Sequence, residues 1–155
     1  MDFRQIKSTL KKHNNSLKID TIKVGMISSI SYQNNTAIRN VFIKLNQLPN
    51  HVLVLGAGNA YGADKVIRNL AIAMGFDYRE YKPVHEQYDS YCALPKFRYN
   101  KKYNPKNYIT RYLKLIDEAD KVFVFKDRYK KDTFIQAAIE HLKKTKNKNN
   151  YIIVK

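Results

Sequence analysis

Cysteine occurs once in this chain, at Cys92, which excludes an internal disulfide framework and any cysteine-based zinc site. A single cysteine fits a reducing cytosol without requiring one. No stretch approaches the roughly 18 apolar residues of a membrane span, and Met1-Asp-Phe-Arg-Gln lacks the apolar core of a signal peptide. The expectation is a cytoplasmic protein with no membrane partner. No His, Cys, Asp and Glu spacing suits a metal ion, so neither a metal nor a required cofactor is expected. Acidic residues are scarce: 13 Asp and Glu stand against 29 Lys and Arg, for a net charge of +16. Such a surface attracts polyanions at low salt. Part of the excess is also what A/T-rich codon usage yields, since asparagine is abundant too and most of the basic residues are lysines. Glycine is sparse, and Gly56, Gly58 and Gly62 fall together in one short segment.

What is present reads as one folded domain. A chain of 155 residues with 44% hydrophobic content is long enough for a single well-buried core. Residues 1–17 carry Phe3, Ile6 and Leu10 at helical spacing, predicting a short extra N-terminal helix. From there the hydrophobic period alternates. Strands are predicted at 20–27, 51–55, 77–82, 121–125 and 151–154. Between the first two, Asn34 or Asn35 caps a helix whose buried stripe is Ile38, Val41, Phe42, Leu45 and Leu48, stopped by Pro49. Further helices are predicted at 63–74, ended by Gly75, at 107–119, and after Asp132 as cap. Alternation of this kind means a Rossmann-like three-layer α/β sandwich on a mainly parallel five-stranded sheet, with no repeats. The third strand, the most polar, belongs at an edge.

Parallel sheets of this type bind ligands beyond the carboxyl ends of their strands, and four loops meet on that edge. The most informative is residues 52–64, VLVLGAGNAYGAD, where a strand empties through three glycines into a helix. Glycine lets the backbone turn at positive φ, and the start of a helix attracts anions. Gly56-x-Gly58-x-x-x-Gly62 is neither the dinucleotide fingerprint nor a Walker loop. Gly56, Gly58, Asn59, Tyr61 and Gly62 are therefore candidates for ligand contact, joined by Ser28 and Ser29 after the first strand. Lys126, Arg128 and Lys130 after the fourth strand would hold phosphate. Residues 83–106 form a long basic segment interleaving Tyr88, Tyr91, Phe97, Tyr99 and Tyr103 with lysine and arginine, a mixture suited to stacking on a base. For catalysis the candidates are Asp64 and, in that long segment, His85. Lys143, Lys144, Lys146 and Lys148 fall on the opposite edge as a solvated turn.

The order Gly58-x-x-Tyr61-Gly62-Ala63-Asp64, then Arg111-x-x-x-Leu115-x-x-x-Ala119-Asp120, then Phe125-x-Asp127 and Thr133 resembles the SLOG superfamily of Rossmann-like proteins. The nearer likeness is to its small, single-domain YspA-related branch, and the more distant one to LOG phosphoribohydrolases and DprA. It implies that the glycine loop, Arg111 and the turn holding Thr133 surround a nucleotide-like ligand. Where the branch usually has Ser-x-Gly-Thr, this chain has Lys130-Lys131-Asp132-Thr133, and Tyr112 replaces a common asparagine. The LOG motif Pro-Gly-Gly-x-Gly-Thr-x-x-Glu is absent, so LOG-type catalysis is not expected. The expectation is binding of a nucleotide or nucleotide-derived small molecule, with N-glycosidic cleavage or transfer as the chemistry if there is any. Two alternatives stand beside it. One is DprA-like single-stranded nucleic-acid binding through the basic edge loops; the other is a non-catalytic interaction protein with a degenerate pocket. A homodimer is left open.

Overall fold

The computed structural model describes residues 20–59, 62–81 and 106–155. The predicted N-terminal helix and the segment 83–105, with His85, lie outside the described residues, as does Tyr61. The elements run β1 (Thr21–Ser28), α1 (Asn35–Asn46), β2 (His51–Gly56), α2 (Ala63–Ala73), β3 (Asp77–Glu80), α3 (Lys106–Glu118), β4 (Lys121–Phe125), α4 (Thr133–Thr145) and β5 (Tyr151–Val154). All four strand pairings are parallel, in the order β3-β2-β1-β4-β5. This is a Rossmann-like α/β fold.

Each strand sends alternate side chains to opposite faces, and the sequence supplies two apolar sets. Val24 and Met26 of β1, Val52 and Val54 of β2 and Phe125 of β4 meet Ile38, Phe42 and Leu45 of α1 and Ile67 and Ala71 of α2. On the other face, Ile27, Leu55, Val122 and Val124 meet Leu115 and Ile116 of α3 and Ile135, Ile139 and Leu142 of α4. Gly25 is small because α3 crosses β1 closely there: an added Cβ would lie 2.6 Å from Leu115 Cδ2.

The helix ends follow from single residues. Asn34 accepts the Ala37 N–H at 3.1 Å and starts α1. The predicted stripe ran one turn too far, because α1 stops at Asn46 and Leu48 is 42% exposed. Gly75, at φ +76°, ends α2: its N–H donates to Ile72 O while the Phe76 N–H reaches Ala71 O, satisfying two terminal carbonyls. Asp132 caps α4, its Oδ1 accepting from the N–H groups of Phe134 at 3.0 Å and Ile135 at 3.2 Å. Replacing it by alanine is expected to cost about 1 kcal/mol. Thermal unfolding should then show a Tm lower by roughly 2–4 °C, and an unchanged Tm would remove the cap from the stability of α4.

The chain lays down β1, β2 and β3 outward in one direction, then returns past β1 to place β4 and β5 on its other side. Crossovers of one hand therefore put α1 and α2 on one face and α3 and α4 on the other. The reversal lies between β1 and β4, and the crevice beyond their carboxyl ends is where such sheets take ligands. Among the described residues, no helix is long and apolar enough to cross a membrane.

Candidate functional site

Four polar or charged residues are buried among those described, Ser28, Ser29, Asp64 and Arg111, and all belong to the carboxyl edge. The sheet order explains their meeting. Ser28 ends β1, the loop after β2 brings Ala57 and Asn59, and Asp64 sits in the first turn of α2. Arg111 lies on α3, which crosses from the other face. Ser28 Oγ donates to Asp64 Oδ1 at 2.6 Å, and Asn59 Nδ2 donates to Asp64 Oδ2 at 2.6 Å. Asn59 in turn accepts from Arg111 Nη2 at 2.8 Å. The same nitrogen reaches Tyr112 Oη at 3.1 Å, and Nη1 donates to the Ala57 carbonyl at 2.7 Å. The guanidinium also lies over the Tyr112 ring, 4.7 Å from its centroid.

Asparagine 59 thus relays between a buried carboxylate and a buried cation that do not touch. Burial raises the Asp64 pKa above the ordinary carboxylate value, opposed by the Ser28 hydrogen bond, the Arg111 charge and Asn59. An acid whose pKa is higher folded than unfolded binds protons more readily when folded, so its contribution favours folding at low pH and is lost as pH rises through the folded pKa. Measured against Asp64→Asn, the wild type should therefore lose relative stability from acid toward neutral pH. Parallel urea curves for the two proteins at every pH would refute this.

The glycines are required by the loop itself. Gly62 adopts φ +71° and ψ −149°, and an added Cβ would stand 2.5 Å from the Ile30 carbonyl oxygen. Gly58 is also at positive φ. Gly56 lies under Tyr78, whose hydroxyl would be 2.3 Å from an added Cβ, and its carbonyl accepts the Tyr81 N–H. That side chain covers Gly56 from the α2 face. Asp64 occupies the positive end of α2, the place an external anion would otherwise take.

Along the same edge the turn after β4 is anchored to the turn after β1. Ser29 N–H donates to Phe125 O at 2.9 Å, and the Asp127 N–H donates to Ser29 Oγ at 3.3 Å. Asp127 Oδ1 accepts the Tyr129 N–H at 2.9 Å, and a hydrogen bond from Ser31 holds its pKa below the usual carboxylate value. Lys126 and Arg128, with Lys155 beyond β5, line a recess of about 410 Å³. Lys130 and Thr133 are exposed farther along the turn. Two residues missed from sequence belong here. Lys155 enters because β5 is parallel to β4 and ends beside it, and Tyr129 is 92% exposed between Arg128 and Lys130. Its place between two cations was the available signal.

His51 pairs with Asp77 at 2.8 Å and His141 with Asp117 at 2.7 Å, both away from the carboxyl edge. Among the described residues, no cluster of three His, Cys, Asp or Glu side chains could hold a metal ion. No family model, curated protein or solved structure matches this chain.

Proposed function

We propose that this protein binds a nucleotide or nucleotide-derived small molecule across the carboxyl edge, between the glycine loop and the turn after β4. One observation carries the reading. The reversal of strand order, where the fold takes ligands, adjoins a recess lined by three cations, Lys126, Arg128 and Lys155. With Asp64 already at the start of α2, a phosphate is favoured on those cations rather than on the helix terminus. Two strand spacings separate the ends of β2 and β4, about 10 Å, a span a nucleotide can bridge. The resemblance to the SLOG superfamily points the same way. Asp64 serves here as the brace of the loop: it is 3% exposed and both its oxygens already accept hydrogen bonds.

A second reading, single-stranded nucleic-acid binding, is favoured by Tyr129, an exposed ring flanked by the exposed cations Arg128, Lys130 and Lys131. Salt separates the two. Binding of a single strand loses affinity with a slope near −0.7 per phosphate neutralised on a log–log plot, whereas a mononucleotide gives a much shallower line. Titration with AMP and with an oligothymidylate should show AMP binding surviving roughly 0.2 M salt and oligonucleotide binding largely gone. Lys126→Glu with Arg128→Glu should weaken AMP binding at least tenfold. Tight oligonucleotide binding at that salt would reverse the order of the readings, and undiminished AMP binding by the double variant would refute the first.

A further inference from the structure

A parallel sheet is buried on both faces, and its strands read as near-continuous apolar runs for that reason. β5 follows the rule: Tyr151-Ile152-Ile153-Val154 carries apolar side chains on both sides. On one side Tyr151 and Ile153 pack into the cluster under α3 and α4. On the other, Ile152 and Val154 are the register partners of Phe123 and Phe125 in β4. Among the described residues, the cover there is incomplete. α1 joins β1 to β2 and α2 joins β2 to β3, so both helices lie on the β1–β2–β3 side of that face. Phe125, at the carboxyl end, is closed by the Tyr32 ring, with centroids 5.5 Å apart. Farther toward the amino end, Phe123 is only partly buried and Ile152 is 55% exposed.

We propose that residues 1–19 cover this face, laying Phe3, Ile6 and Leu10 over Phe123, Ile152 and Val154. The first three recur at helical spacing, and Arg4, Lys11 and Lys12 fall outside their stripe. The segment is well placed, because it leads directly into β1, and β1 is the neighbour of β4. A helix over residues 2–13 would be about 18 Å long, against roughly 17 Å for the 5 residues of β4. Residues 14–19 reach up to about 20 Å when extended, more than the one or two strand spacings to be crossed. Residues 83–105 are poorly placed by comparison. They follow β3, at the far edge of the sheet, and lead into α3 on the opposite face. This cover does not depend on what the carboxyl edge binds.

The test is cross-linking within the full chain. With Cys92→Ser removing the native thiol, Leu10→Cys and Ile152→Cys are combined and treated with a short bismaleimide. The expected result is a link at the mass of one chain, formed to the same extent on dilution. The pair Leu10→Cys and Glu140→Cys, whose second site is exposed on α4 across the sheet, should stay unlinked. Thermal unfolding gives a second readout. Leu10→Asp should lower the Tm by roughly 3–5 °C. In that background Ile152→Asp should lower it less than in the wild type, since substitutions at residues in contact do not add. Equal linking at Glu140, no linking at Ile152, an unchanged Tm for Leu10→Asp or strictly additive falls would each overturn the proposal. So would a link found only at the mass of two chains, which would give the face to a second copy.

Discussion

Arg111→Ala is expected to be among the most damaging single substitutions in this protein, lowering stability by about 3–5 kcal/mol. For a chain of this size that is a fall in Tm of roughly 6–20 °C. Arg111 is 5% exposed, and its guanidinium joins α3 to the glycine loop through Ala57 O and Asn59 Oδ1 while also donating to Tyr112 Oη on its own helix. Its loss leaves a buried backbone carbonyl unpaired and removes the positive charge that offsets Asp64. Arg111→Lys should recover only part of the loss, because an ammonium cannot serve diverging acceptors as a planar fork does. Circular dichroism on heating measures both, and a loss below about 1 kcal/mol for alanine would mean that the loop is held by other contacts.

Gly62→Val should be at least as severe, with little folded protein recovered. The backbone at φ +71° and ψ −149° is close to a region that only glycine occupies readily. The new Cβ would also meet the Ile30 carbonyl at 2.5 Å, a backbone atom in the neighbouring turn. Gly58→Ala, at φ +76°, should cost only about 1–2 kcal/mol. A valine variant with native stability would show that the two turns can separate freely. Since this substitution strikes the fold itself, loss of ligand binding in it says little about phosphate contact; variants at Lys126 and Arg128 address that directly.

The architecture was legible because it depends on local signals. Alternating periods gave the five strands, and Gly75, Asn34 and Asp132 marked helix ends through chemistry confined to a few neighbouring residues. Leu48 was misread because it continues the helical spacing of α1 beyond the point where the helix stops. The candidate residues on the edge could be named, but not their pairings. Ser28 and Asp64 are 36 positions apart, and Arg111 and Ala57 are 54 apart. Nothing in composition or spacing says that Asn59 will stand between a carboxylate and a guanidinium. Nor does sequence reveal that Tyr32 Oη lacks a partner among the described residues, since that depends on how the β1 turn packs on Phe125.

The central position of β1 has a consequence for how the chain reaches its native state. β1 and β2 are joined by a short helical crossover, but the other neighbour of β1 arrives from far along the chain: Lys23 and Asp120, bonded to each other at 2.9 Å, are 97 residues apart. Closing so long a loop is entropically unfavourable, and chains dominated by distant pairings fold slowly. The β1–β2–β3 half is paired through its own crossovers, whereas the pairing of β1 with β4 requires that long closure. The glycine loop and Asp64 come from the first half, and Arg111, Lys126 and Arg128 from the second. During synthesis, the residues of the carboxyl edge are therefore brought together only after β4 has emerged and docked, so any ligand taken as proposed there would stabilise the finished sheet rather than an early intermediate.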